Sequence, residues 1–184
     1  MTKIPTVFQR TEDRRHVTDV VTPGCEWVLE GEGRATRKFD GTCVLIDEDA
    51  TVWVRREVKA GKPTPPNFRP TATDETTGKT VGWEPEHQSG FVKFLDEAMQ
   101  GFSGGHGTYE LCGPKINGNP EGFTTHLLIP HGDEHISDLV YPLSFDTLRT
   151  WMASTDFEGI VWHHPDGRMA KLKRRDFPRV GGSA

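Results

Sequence analysis

Apolar residues along this chain come in short runs between polar stretches rich in glycine and proline, the pattern of strands joined by turns. Glu26-Trp27-Val28-Leu29-Glu30 reads as a short strand, broken by Gly31-Glu32-Gly33. Ala35 to Lys38 reads as another. Thr42 to Ile46 and Thr51 to Arg56 read as a hairpin around Asp47-Glu48-Asp49. Thr108 to Cys112 and Thr125 to Ile129 follow. Gly159 to His163 and Met169 to Lys173 form a strand pair around the Pro165-Asp166-Gly167 turn. Two segments change period. Phe91, Phe94, Leu95 and Ala98 recur at helical spacing in 91–99, and 144–152 reads as a second helix with Ser144 as N-cap. Residues 1–25 are polar, and 59–80, with prolines at 63, 65, 66 and 70, read as one long loop. The order predicts an α+β fold of largely antiparallel sheet, in a single domain over 1–184.

Composition narrows the function classes. With 20 Gly and 13 Pro, loops are many and helices few. A net charge of −5 argues against a protein that coats nucleic acid non-specifically. No apolar run approaches the ~20 residues that span a bilayer, so no membrane partner is expected. The polar N-terminus lacks the apolar stretch of a secretory signal. Cys25, Cys43 and Cys112 are odd in number and widely spaced, which fits neither a disulfide framework nor a CxxC metal site. They read as small core residues in a reducing cytoplasm. His126, His131 and His135 lie close in sequence but match no strong zinc template. His163 and His164, beside a turn, read as solvated.

Four short segments carry chemistry. Lys38-Phe39-Asp40-Gly41 puts a lysine at a strand end beside a carboxylate; such a lysine is a nucleophile if nearby cations or desolvation lower its pKa. Glu110, alternating with apolar residues in Tyr109-Glu110-Leu111-Cys112-Gly113, is placed to bond a sugar hydroxyl. Glu158, opening the apolar run Gly159-Ile160-Val161-Trp162, is placed to hold a divalent metal through oxygen. Lys171 and Lys173 share one strand face about 6–7 Å apart, which suits a polyphosphate and depresses the pKa of a third lysine nearby. Taken singly, each has a plain alternative as a solvated surface residue.

In this order KFDG, YELCG, EGIVW and KLK resemble motifs I, III, IV and V of the covalent nucleotidyltransferases, the superfamily of ATP-dependent DNA ligases, RNA ligases and mRNA capping enzymes. Within it the chain looks most like the small ATP-dependent 5′–3′ RNA ligases. KFDGTC, VWVRR, YELCGPKINGNPEGF and THLLIPHG extend the likeness over most of 27–177. The resemblance implies a nucleotidyltransferase core of antiparallel sheets with flanking helices, an ATP-grasp-like ligase fold. It implies that Lys38 attacks the α-phosphate of ATP and forms lysyl-AMP, and that Asp40 acts near the ribose or the attacking 3′-hydroxyl. Glu110 would bind the ribose, Glu158 would help hold Mg²⁺ or Mn²⁺, and Lys171 and Lys173 would neutralise charge on the phosphate. Arg55 would touch the phosphate of the RNA end. The partners implied are RNA ends bearing a 5′-phosphate and a 3′-hydroxyl, and a monomer is the expected form.

The sequence runs eleven residues past Lys173, so no OB-fold is expected to follow. Grip on RNA would then fall to Arg168, Lys171, Lys173, Arg174, Arg175 and Arg179, with the 59–80 loop. Alternatives are a capping-type guanylyltransferase, a DNA ligase-like adenylyltransferase, or a silent nucleotide- or RNA-binding module. The intact set Lys38, Glu158, Lys171 and Lys173 argues against the last, because a binder has no need of a nucleophile.

Overall fold

Most of the alternating runs do pair as strands in the computed structural model, which describes residues 4–178. In chain order the elements are β1 (Phe8–Arg10), β2 (Val17–Val21), α1 (Glu26–Leu29), β3 (Arg34–Lys38), β4 (Thr42–Ile46) and β5 (Val52–Val58). Then come β6 (Arg69–Thr73), β7 (Thr80–Pro85), α2 (Val92–Gln100), β8 (Gly107–Cys112) and β9 (Leu127–Pro130). The last are α3 (Phe145–Ala153), β10 (Gly159–His163) and β11 (Met169–Lys173). Every pair between these strands is antiparallel. Among the described residues no helix is long and apolar enough to cross a membrane.

The chain divides into two units, 40–131 and 4–39 with 132–178. In the second, β10 lies between β11 and β3. Its sheet sorts residues by parity. Ala35, Ile160, Trp162, Ala170 and Leu172 are buried on one face, in a core with Phe8, Trp27, Val28, Leu148 and Met152. Thr36, Lys38, Gly159, Val161, Lys171 and Lys173 occupy the other face. Ser144 caps α3 as expected: its Oγ accepts from the Thr147 amide, and the Thr147 hydroxyl in turn accepts from the Ser144 amide.

In the 40–131 unit six strands run in the order β6-β7-β5-β4-β8-β9. Val44, Val54, Tyr109, Leu111 and Leu128 bury one face beneath Leu95 and Ala98 of α2. Cys43, Trp53, Arg55 and Glu110 alternate onto the opposite face.

Three sequence expectations are corrected. Residues 26–29 are helix, not strand: Trp27 and Val28 are buried side by side, which a half-buried strand does not allow. The 59–80 stretch is not one loop. It contains β6, an edge strand with no buried residue, whose register shifts between Pro70 and Ala72, and then the start of β7. The polar N-terminal segment holds the β1–β2 pair, whose Phe8 and Val17 are core residues.

Candidate active site

β3 and β11 flank β10 so that Lys38 and Lys173 both stand opposite Gly159. Strands lie roughly 4.8 Å apart, so the two lysines start about 10 Å from each other, with no side chain between them. Gly159 is required there, since a Cβ would fall 2.2 Å from the Leu172 carbonyl oxygen. Glu158, one residue before β10, fills the gap. Its Oε2 accepts from the Lys38 ammonium at 2.5 Å, and its Oε1 accepts from Lys173. The Lys38 ammonium also donates to the Phe39 carbonyl oxygen at 3.2 Å.

Burial pushes the Glu158 pKa up, but Lys38 and Lys173 outweigh it and hold the carboxyl below its usual range. Lys171 lies one row further along, opposite Val161. Its ammonium has no hydrogen bond or ion pair among the described residues. Burial, with Lys173 and Lys38 adding to it, pushes its pKa down to about 8.

Asp176 fixes the end of β11. It is buried, and it accepts from the Lys173 amide at 2.9 Å and from Arg10 at 2.8 Å. Arg179 lies outside the described residues, and Arg174 bonds the Thr155 carbonyl oxygen.

The other predicted residues form a group in the 40–131 unit. Glu110 is buried; its Oε1 accepts from the Gly41 amide at 3.0 Å, and its Oε2 lies 2.8 Å from His131 Nε2. A Cβ on Gly41 would meet the Leu111 carbonyl oxygen at 2.3 Å, so only glycine lets this backbone reach the carboxylate. Asn117 donates to Asp40 Oδ1 and to the Gly41 carbonyl oxygen, while Glu121 accepts from the Asp40 amide. Asn117 and Asn119, both at positive φ, turn the loop that carries these groups. Arg55 is half-buried on the face that bears Glu110, and its side chain makes no hydrogen bond or ion pair among the described residues.

The histidines do not form one cluster. His126 is buried against Phe94 and bonds Glu97; His131 bonds Glu110; His135 is in the other unit. His163 and His164 are not freely solvated: His163 meets the Thr36 hydroxyl, and His164 pairs with Glu32 and Asp166. Cys25 and Cys112 are buried as expected, whereas Cys43 is only half-buried.

The family model for RNA ligase 1 matches residues 102–179. RNA ligase 1 of Pongo abelii is 43% identical over 75 residues, covering 36% of this chain and 23% of the relative. RNA ligase 1 of Rattus norvegicus is 39% identical, and that of Danio rerio 36%, over the same length and shares. The match thus spans about a quarter of the length of these curated relatives. The matched residues include Glu110, Glu158, Lys171 and Lys173, while Lys38, Asp40 and Arg55 precede them.

Proposed function

We propose that this protein is an ATP-dependent RNA ligase that works through a lysyl-AMP intermediate on a nucleotidyltransferase core. The observation that carries the reading is the Glu158 carboxylate held between the Lys38 and Lys173 ammonium groups, with Lys171 beside them on the same sheet face. Lys38 is the nucleophile: it loses a proton, its amine attacks the α-phosphorus of ATP, the P–N bond forms and pyrophosphate leaves. Lys171 and Lys173 offer positive charge to the phosphate as negative charge grows on it, the electrostatic part of phosphoryl-type transfer. The carboxylate of Glu110 takes the ribose, Asp40 acts near the ribose or the attacking 3′-hydroxyl, and Arg55 touches the phosphate of the RNA end. The AMP passes to a 5′-phosphate, and the 3′-hydroxyl of a second RNA end displaces it to form the phosphodiester.

A divalent cation fits Glu158, a half-buried residue whose carboxylate offers hard oxygen donors beside the lysines proposed to take phosphate; Mg²⁺ commonly takes one or two carboxylates together with substrate phosphates. Bound there, Mg²⁺ or Mn²⁺ would supply Lewis-acid polarisation of the phosphate. Both carboxylate oxygens already hold lysines, so Glu158 would give up an ammonium contact in order to hold it.

The test is the intact mass of the protein after incubation with ATP and Mg²⁺. A gain of one AMP is expected, lost in Lys38→Ala with the fold retained by circular dichroism. An adduct with GTP alone would favour the guanylyltransferase, no adduct the silent binding module, and an adduct that survives Lys38→Ala would move the nucleophile elsewhere. Sealing of 5′-phosphorylated RNA rather than DNA then identifies the substrate.

A further inference from the structure

We infer that Cys43, Glu110 and His131 form a binding site for a thiophilic divalent cation, Zn²⁺. Three strands of the 40–131 sheet bring them together. Cys43 on β4 stands directly opposite Glu110 on β8. His131 follows β9 and, two residues past the Ile129 that pairs with Glu110, returns to the same face. The Cys43 sulfur, a Glu110 oxygen and a His131 ring nitrogen all lie within 4.8 Å of one another. Tetrahedral zinc with bonds of ~2.0–2.3 Å sets its ligand atoms about 3.3–3.8 Å apart. The 2.8 Å Glu110–His131 contact and the 4.8 Å limit bracket that range, so side-chain shifts of about an ångström close the site.

The donor set selects the metal. A thiolate and an imidazole favour zinc over Mg²⁺ or Mn²⁺, which take oxygen, and one carboxylate completes a three-ligand set with a fourth position open. The carboxylate is already oriented by the Gly41 amide, as second-shell bonds orient metal ligands. On binding, Cys43 releases its thiol proton to water, and His131 Nε2, which donates its N–H to the Glu110 carboxylate, gives that proton up through water to the ring's other nitrogen so that its lone pair can face the metal. Zinc therefore competes with whatever else uses Glu110. In the function proposed above that is the nucleotide ribose, and this consequence, unlike the site itself, rests on that proposal.

The experiment is a titration of the chelator-stripped full chain with Co²⁺, without nucleotide, followed by displacement with Zn²⁺. A thiolate-to-cobalt charge-transfer band should grow to saturation at one ion per chain and vanish as zinc replaces cobalt. Cys43→Ser should lose the band, and His131→Ala should weaken binding by on the order of 10–100-fold, with circular dichroism confirming both folds. No band in the parent, or a band that survives Cys43→Ser and so belongs to another cysteine, overturns the site. Added Zn²⁺ should slow lysyl-AMP formation in the parent more than in Cys43→Ser, each against its own zinc-free rate; equal slowing removes the competition. A chain that shows the band but forms no lysyl-AMP keeps this site and loses the proposed function, and the reverse result does the opposite.

Discussion

Replacing Lys171 with methionine should make the empty protein more stable near neutral pH. Lys171 is partly buried on β11, and burial with two neighbouring lysines lowers its pKa from 10.5 to about 8. The two carboxylates that act on it are already engaged: Asp176 by Arg10 and the Lys173 amide, and Glu158 by Lys38 and Lys173. The difference between 10.5 and about 8 corresponds to ~3 kcal/mol if taken whole. The side chain keeps some solvent contact, so screening brings the cost to about 1–2 kcal/mol. Methionine retains the apolar stem and removes the charge.

The sign with pH follows from proton binding. Below about pH 8 folded and unfolded states both carry the Lys171 proton, and the penalty is present in full. Between about 8 and 10.5 the folded chain releases it while the unfolded chain keeps it, so the parent gains stability relative to the variant. Urea denaturation of both proteins at about pH 7 and about pH 9.5 reads this directly, because every other titrating group cancels in the difference. The variant should lead by ~1–2 kcal/mol at the lower pH, and the lead should shrink at the higher. A less stable variant at neutral pH, or a difference that ignores pH, refutes the reasoning.

Two further outcomes follow from the same charges. Glu158→Ala leaves the Lys38 and Lys173 ammonium groups facing each other without a carboxylate, and denaturation should show a loss of ~2–4 kcal/mol at neutral pH. Because the Glu158 pKa is lowered, its contribution holds above the usual value of 4.5 and fades as pH falls through the folded value, so the gap between parent and variant should close in acid. Asp176→Asn keeps the shape but weakens two charge-assisted bonds, to Arg10 and to the Lys173 amide; a loss of ~1–3 kcal/mol in the same assay is expected, and an unchanged midpoint would show that the end of β11 needs no such anchor.

How legible each feature was depends on whether its signal is local. Ala170 and Leu172 alternate with Lys171 and Lys173, so the inward and outward faces of β11 could be read from five residues, and the buried and half-buried classes agree. α2 and α3 were legible because a helical stripe or a capping serine lies within one short window. β6 was not, because an exposed edge strand has no face to bury and so no alternation to read. α1 failed for the opposite reason: a three-residue apolar run, Trp27-Val28-Leu29, fits either period, and tertiary packing decides. Within the sites, Glu158 and the three lysines were found by residue type and order. The partners that orient the rest, Asn117, Glu121 and Asp176, were missed because their meaning lies in hydrogen bonds formed across 77, 81 and 166 residues of chain.

The row Lys38–Gly159–Lys173 shows why stability and chemistry are tied together on this face. Three ammonium groups, counting Lys171, are gathered beside the Glu158 carboxylate, with the charge of Asp176 also acting on Lys171, and a glycine holds the space in which they converge. Apolar side chains in these positions would give a more stable sheet, since a buried ion cluster seldom outweighs well-packed apolar groups of similar volume. A cation excess concentrated where a strand exposes its outer face is costly unless an anion completes it. Under the proposed function a triphosphate does so, and its charge offsets the Lys171 penalty that the empty protein carries. Ligand binding then stabilises the fold by mass action, and part of the binding free energy comes from charge repulsion relieved. The same repulsion makes Lys171 the lysine most sensitive to what occupies the face: an anion there should move its pKa back towards 10.5 while leaving the core beneath untouched.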